Sequence, residues 1–259
     1  MSFIVIIPAR YESSRLLGKP LMDIQGKPMV EWTWMQAKKS GATRVVIATE
    51  SDRVKAVCES FGAEVCLTSE HHESGTERIA EVASVLELND DDILVNVQGD
   101  EPLLPPDLIH QVAEGLETHP NTLMATLCEP ILDVETVFDP HAVKVIRDCN
   151  NYALNFTRAP MPWSRDTFGS EPKTLPGNWP YRRHIGLYAY RSGFVKRYVE
   201  WPVCALEQVE KLEQLRVLWH GEKILVLDAL CEAGVGVDTE QDLIKVRRIM
   251  AEMNPDGAL

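Results

Sequence analysis

Ile6-Ile7-Pro8-Ala9-Arg10-Tyr11-Glu12-Ser13-Ser14-Arg15-Leu16-Leu17-Gly18-Lys19-Pro20-Leu21 closes an apolar run, Phe3-Ile4-Val5-Ile6-Ile7, that reads as a buried strand at the start of the chain. Three cations, Arg10, Arg15 and Lys19, then share one loop with small or turn-forming residues between them. Arginine offers a planar fork for phosphate oxygens and lysine a mobile point charge, so a loop of this kind can wrap a polyanion. The chain has 39 acidic against 26 basic residues and a net charge of −13, so a cationic loop stands against the trend. A solvated loop whose cations pair with neighbouring carboxylates is the alternative reading.

Outward from this loop, strand-like and helix-like segments alternate over the first 130 residues. Strands are expected at 3–7, 44–49, 64–68, 93–97 and 124–127. Helices are expected at 28–40, 52–61, 76–86 and 105–116. Proline stands in the first turn of the first helix, with Gly41 just past its end, and Ser51 can cap the second, which Gly62 closes. Repeated βα units with short links predict an α/β fold, with a mainly parallel central sheet covered by helices on both faces. The middle is less regular, with strands expected at 144–146, 153–157 and 185–190 and a long loop rich in Pro, Gly and Trp at 159–180. Beyond it come an amphipathic helix at 206–219, a strand at 223–227 and a terminal helix at 241–253.

With 259 residues the chain can bury a core as one large domain or two small ones. Its 45% hydrophobic and 25% charged residues suit a soluble globular protein. No apolar run is long enough for a membrane span, and the five-residue run ended by Pro8-Ala9-Arg10 is too short for a signal peptide, so the expected address is the cytoplasm. Cys58, Cys66, Cys128, Cys149, Cys204 and Cys231 form no Cys-x-x-Cys pair and read as reduced thiols. The acidic balance argues against a nucleic-acid partner.

In open α/β sheets, ligands bind beyond the carboxyl ends of the strands. Residues 8–19 follow the first strand, Gln98-Gly99-Asp100-Glu101-Pro102 follows the strand at 93–97, and Asp238 follows Gly234-Val235-Gly236-Val237. The cationic loop and these carboxylates are therefore expected on one rim. Phosphates beside carboxylates imply a hard divalent cation such as Mg²⁺. Asp100 as a turn cap and Asp238 as a helix N-cap are the alternatives. Gly18-Lys19 and Gly26-Lys27 are each followed by Pro, which rules out a P-loop, and no G-x-G-x-x-G is present.

Ile7-Pro8-Ala9-Arg10-Tyr11, Gly18-Lys19-Pro20-Leu21, Ser74-Gly75-Thr76-Glu77-Arg78 and Asn96-Val97-Gln98-Gly99-Asp100-Glu101-Pro102 together resemble the 3-deoxy-manno-octulosonate (Kdo) cytidylyltransferases, or CMP-Kdo synthetases. The resemblance continues through Asn151-Tyr152-Ala153-Leu154, Arg158, Arg183-His184-Ile185-Gly186-Leu187-Tyr188, Leu206-Glu207, Glu210-Lys211-Leu212-Glu213-Gln214-Leu215-Arg216 and Gly236-Val237-Asp238-Thr239, nearly the whole chain. It implies one nucleotidyltransferase domain of Rossmann-like type. Residues 1–130 and 223–259 would form its nucleotide core, and 131–222 a smaller, irregular β-rich sugar-binding and dimerisation part.

The implied reaction is attack by the anomeric hydroxyl of Kdo on the α-phosphorus of CTP, giving CMP-Kdo and pyrophosphate for lipopolysaccharide synthesis by a homodimer. The resemblance implies that Arg10, Arg15 and Lys19 bind the triphosphate, with Arg10, Lys19 and Asp100 as the catalytic set. Pro8, Ala9, Ser74, Gly75, Thr76 and Arg78 would line the cytidine pocket, and Gln98 would lie between nucleotide and sugar. Asp100 and Asp238 would hold Mg²⁺. Arg158, His184, Tyr188, Glu210, Glu213 and Gln214 would meet the sugar acid. Glu210, Glu213 and Gln214 share one helix face by spacing, away from the stripe Leu206, Val209, Leu212 and Leu215. Read without the family, that face is a solvated acidic one, Arg158 a surface ion pair and His184 a structural histidine.

Leu17, Glu12, Asn155 and Thr157 depart from the family pattern. The first two touch the phosphate loop and the last two the sugar side. The rival readings are a cytidylyltransferase for a modified Kdo or another acidic sugar, and a non-catalytic nucleotide-binding protein.

Overall fold

A computed structural model of the chain describes residues 1–12, 16–72, 74–169, 171, 173–177 and 181–253. In chain order β1 (Phe3–Pro8) leads to a 3-10 turn (Lys19–Leu21) and a small antiparallel hairpin, β2 (Asp23–Ile24) and β3 (Lys27–Pro28). Next come α1 (Met29–Lys39), β4 (Arg44–Thr49), α2 (Asp52–Ser60), β5 (Glu64–Leu67), α3 (Gly75–Val85), β6 (Ile93–Asn96), α4 (Pro106–Glu117) and β7 (Met124–Pro130). The middle holds α5 (Val134–Phe138), β8 (Lys144–Arg147), β9 (Ala153–Thr157) and β10 (Arg182–Arg191). The chain then forms α6 (Ser192–Tyr198), α7 (Ala205–Glu210), α8 (Gln214–Trp219), β11 (Ile224–Asp228) and α9 (Glu240–Met253).

The main sheet runs β11-β7-β10-β6-β1-β4-β5. β1 pairs in parallel with β4 and β6, β4 with β5, and β7 with β11. β10 enters between β6 and β7 and is antiparallel to both. β8 and β9 continue the same sheet from β10 as antiparallel strands. The period of two in a strand explains the burial of β1: Phe3, Val5 and Ile7 face one side and Ile6 the other, and helices cover both. Val30, Val54, Leu108 and Val112 of α1, α2 and α4 pack on the first face. Ile79, Val82, Phe194 and Leu215 of α3, α6 and α8 pack on the second. α9 closes over Ile24, Met29 and Trp32 through Leu243, Val246 and Met250.

Local chemistry sets the helix starts. Ser51 Oγ accepts the Val54 amide at 3.4 Å, and Ser74 with Glu77 forms a reciprocal capping box at α3. The 206–219 segment departs from expectation. It is two short helices, with Lys211 left-handed between them at φ 54°. The predicted stripe does not form one buried face: Leu206 and Val209 are 48% and 82% exposed, while Leu212 and Leu215 are buried. Instead Glu207 turns inward and takes two hydrogen bonds from Arg216, at 2.7 and 2.6 Å. Two charged groups desolvated together need this geometry, and an unbroken helix would put residues nine apart on different turns. α5 and α6 were not expected. The first is capped by Asp133, which accepts from the amide and hydroxyl of Thr136.

Candidate active site

The rim beyond the carboxyl ends of β1, β4 and β6 gathers the polar residues of the phosphate loop. Ala9 N donates to Ala48 O at 2.8 Å, and Tyr11 N donates to Glu50 Oε1 at 2.9 Å. Gly18 N returns to Tyr11 O at 2.9 Å, with Gly18 at φ 70°, where a side chain would be strained. Gly99 N donates to Pro8 O at 3.2 Å, and a Cβ on Gly99 would stand 2.9 Å from that oxygen. Only glycine lets the two strand ends approach so closely.

Lys19, almost fully buried, places its ammonium against Asp100 and 3.4 Å from Asp238 Oδ1. Val237 N donates to Asp100 O at 2.9 Å, which fixes the two carboxylate-bearing segments side by side. Glu101 lies behind them. Burial, and then the charges of Asp100 and Asp238, push its carboxyl up to about 8. A cleft of about 340 Å³ opens here, lined by Pro8, Ala9, Arg10, Lys19, Asp100 and Asp238. Asp100 and Asp238 already face one cation, and their hard oxygens are of the kind that fits a divalent ion such as Mg²⁺. Among the described residues no group of three His, Cys, Asp or Glu side chains forms a metal cage. Arg15 lies outside the described residues.

A second cavity of about 200 Å³ adjoins the cleft, and Gly75 and Gln98 border both. Thr76, Tyr188, Glu213 and Gln214 line it. Thr76 Oγ1 donates to Glu213 Oε2 at 2.8 Å, and burial pushes the Glu213 carboxyl up. Gln214 Nε2 is buried with no hydrogen-bond partner. Gln98 also borders a third cavity, of about 140 Å³, beside His184.

Other expected site residues are placed differently. Arg78 is fully buried, donates to Thr68 Oγ1 at 2.6 Å and Ser69 O at 3.2 Å, and pairs with Glu50 at 3.0 Å. It borders none of these three cavities. Arg158 and Glu210 hold each other: Glu210 accepts from Thr157 Oγ1 at 2.7 Å and Arg158 N at 3.0 Å, and Arg158 Nε donates to Glu210 O at 2.7 Å. Lys211 therefore splits the face on which Glu210, Glu213 and Gln214 were expected together. His184 Nε2 lies 2.9 Å from Thr126 Oγ1, whose hydroxyl donates to Leu187 O at 2.8 Å. With that proton engaged, Nε2–H is the donor, which leaves Nδ1 as the unprotonated ring nitrogen. Burial, with the charge of Arg183, holds the imidazole down to about 3, so it is neutral.

The departures from the family pattern are accommodated. Glu12 lines the cleft of about 340 Å³, Asn155 Nδ2 donates to Met161 Sδ at 3.6 Å, and Thr157 donates to Glu210. Sequence reasoning missed Glu50, Asn96, Tyr190 and Tyr198. The signal for two of them was present, since Glu50 ends an apolar strand at the rim and Asn96 interrupts the apolar run 93–97.

A family model described as cytidylyltransferase matches residues 4–224. The chain is 98% identical over the full length of both proteins to 3-deoxy-manno-octulosonate cytidylyltransferase 1 of Hydrogenovibrio crunogenus. It is 57% identical to 3-deoxy-manno-octulosonate cytidylyltransferase of Pseudomonas fluorescens, over 96% of this chain and 98% of that protein. A solved structure of CMP:2-keto-3-deoxy-manno-octonic acid synthetase complexed with CTP is similar at TM-score 0.88 and 38% identity, covering 97% of this chain and 99% of its own. Motifs, fold and full-length similarity agree, and the chain belongs to the 3-deoxy-manno-octulosonate cytidylyltransferases.

Proposed function

We propose that this chain joins CTP to Kdo, giving CMP-Kdo and pyrophosphate. The observation that carries the reading is the meeting of Arg10, Lys19, Asp100 and Asp238 in one cleft, next to a separate polar cavity. The similar solved structure is complexed with CTP, and the relatives are named for the sugar acid.

Arg10 and Lys19 neutralise the triphosphate, and backbone groups at Ser74, Gly75 and Thr76 meet the pyrimidine edge. Asp100 and Asp238 would hold Mg²⁺, which would supply positive charge against the triphosphate. Gln98 stands where nucleotide and sugar meet, since it borders both cavities. Tyr188, Glu213 and Gln214 orient the sugar hydroxyls, and the unpartnered Gln214 amide is a donor kept for ligand. The neutral His184 acts by hydrogen bonding rather than as a cation. Its low basicity, and the acceptor-rich surroundings, suit a reaction driven by positioning and charge neutralisation, with no dedicated side-chain base. The same reading carries a cytoplasmic homodimer serving lipopolysaccharide synthesis. Among the described residues no helix is long and apolar enough to cross a membrane.

Pyrophosphate release from CTP and Mg²⁺ tests the reading, with Kdo, sialic acid or no sugar as parallel reactions. Release with Kdo alone is expected. Release with sialic acid alone, or none with any sugar despite CTP binding, overturns the sugar assignment.

A further inference from the structure

Two side-chain hydrogen bonds lie where the two cavities adjoin. Gln98 Nε2 donates to Asn96 Oδ1 at 2.9 Å. Thr76 Oγ1 donates to Glu213 Oε2 at 2.8 Å. Asn96 and Thr76 are buried. In such surroundings each bond fixes the orientation of its two partners, because a buried polar group left unpaired is costly.

Both bonds involve residues that border the cavities. Gln98 borders the nucleotide cleft and the sugar cavity, and Gly75, beside Thr76, does so as well. Glu213 sits at the start of α8, just past the left-handed Lys211. Its backbone is also held, since Tyr198 Oη donates to Glu213 O at 3.1 Å. The opposite side of the break is tied elsewhere, through Glu210 to Thr157 and Arg158. The part of the break that lines the sugar cavity, Lys211 to Gln214, is thus bonded through a side chain to the first turn of the nucleotide helix α3.

We propose that Thr76 is a positioning residue that acts through Glu213, so that CTP and the sugar acid bind with coupled affinity. The inference rests on the assignment of the two cavities given above. Placing the pyrimidine against Gly75 and Thr76 fixes the Thr76 hydroxyl, which sets Glu213 and with it the wall of the sugar cavity.

The test uses the full chain, Kdo, and the α,β-methylene analogue of CTP, whose bridging carbon blocks pyrophosphate release. Calorimetry measures each affinity with and without the other ligand. Each ligand is expected to tighten the other about tenfold, by the same factor in both directions because linkage is reciprocal. Thr76→Val keeps the shape and removes the hydroxyl, and the factor is expected to fall below about twofold. Thr76→Ser is expected to restore it. Glu213→Gln keeps an oxygen acceptor and is expected to keep the coupling, whereas Glu213→Ala loses it. No mutual tightening in the unaltered protein overturns the proposal. So does a Thr76→Val protein that keeps the full factor while binding the analogue more weakly on its own, which makes Thr76 a nucleotide contact only. Failure of the underlying assignment looks different: the unaltered protein then shows no heat with Kdo and no pyrophosphate release from CTP, which overturns both.

Discussion

Glu50 Oε2 stands 3.0 Å from Nη2 of the fully buried Arg78, while Glu50 Oε1 accepts the Tyr11 amide at 2.9 Å. One carboxylate therefore fastens the phosphate loop after β1 to the inner side of α3. Burial lowers the Arg78 pKa and the Glu50 charge opposes it, so the guanidinium depends on this partner.

Replacing Arg78 by Met strands the Glu50 carboxylate, and urea unfolding is expected to show a loss of about 3–5 kcal/mol, the usual cost of breaking a buried pair. Removing both charges, with Glu50→Gln added, is expected to recover part of that loss. An Arg78→Met protein of full stability, with only nucleotide affinity reduced, would return Arg78 to the cytidine pocket.

Lys19→Ala removes the cation that faces both Asp100 and Asp238. Loss of one preorganised charge at a reacting phosphate predicts kcat/KM for CTP about 100-fold lower. Asp100→Asn is expected to fall at least as far and to weaken Mn²⁺ binding measured by electron paramagnetic resonance. A change of less than about threefold in either variant is incompatible with those roles.

His184 makes stability depend on acidity. Folded, it stays neutral down to about pH 3, and unfolded it takes a proton as the pH falls through about 6.5. Its contribution is complete above about pH 6.5 and disappears progressively towards about pH 3. Denaturant titrations at pH 7 and pH 5 are expected to show that His184→Gln loses less stability on acidification than the unaltered protein, by on the order of 1 kcal/mol. Equal losses in both proteins would mean that the imbalance of protons lies elsewhere.

Gly99→Ala drives a methyl group to 2.9 Å from Pro8 O, where backbone rather than a pliable side chain must give. The expected result is a midpoint lowered by several degrees and weaker CTP binding, since Pro8 and Asp100 flank the displaced contact. Normal melting and normal CTP affinity would show that the strand ends part freely.

The nucleotide half was legible because its signals are local. Apolar runs of strand length, Ser51 and Ser74 as caps, and Gly41 and Gly62 as stops specify the βα alternation without reference to distant residues. The rule that ligands gather beyond strand ends then brought Lys19, Asp100 and Asp238 together, although Asp238 is 219 residues from Lys19. The break at Lys211 was not legible. Helical spacing favoured one helix over 206–219, and what overrides it is a tertiary demand, the inward turn of Glu207 to meet Arg216. The fates of Arg78 and Arg158 were hidden for a similar reason. Whether a guanidinium faces a ligand or a carboxylate depends on Glu50 and Glu210, whose positions only the folded chain reveals.

The reversed strand β10 has a consequence for how such a protein can change. β1, β4 and β6 bring their last residues to the rim, whereas β10 brings earlier ones, His184 and Tyr188. Apart from Asp238, donor chemistry is thus encoded in the first hundred residues, and much of the acceptor wall in a separate, later stretch of chain. An altered gene segment for the later stretch would retarget the acid being activated and leave the triphosphate machinery intact, provided that it keeps Glu213 as the partner of Thr76. Inherited specificity in this architecture is modular up to that one bond.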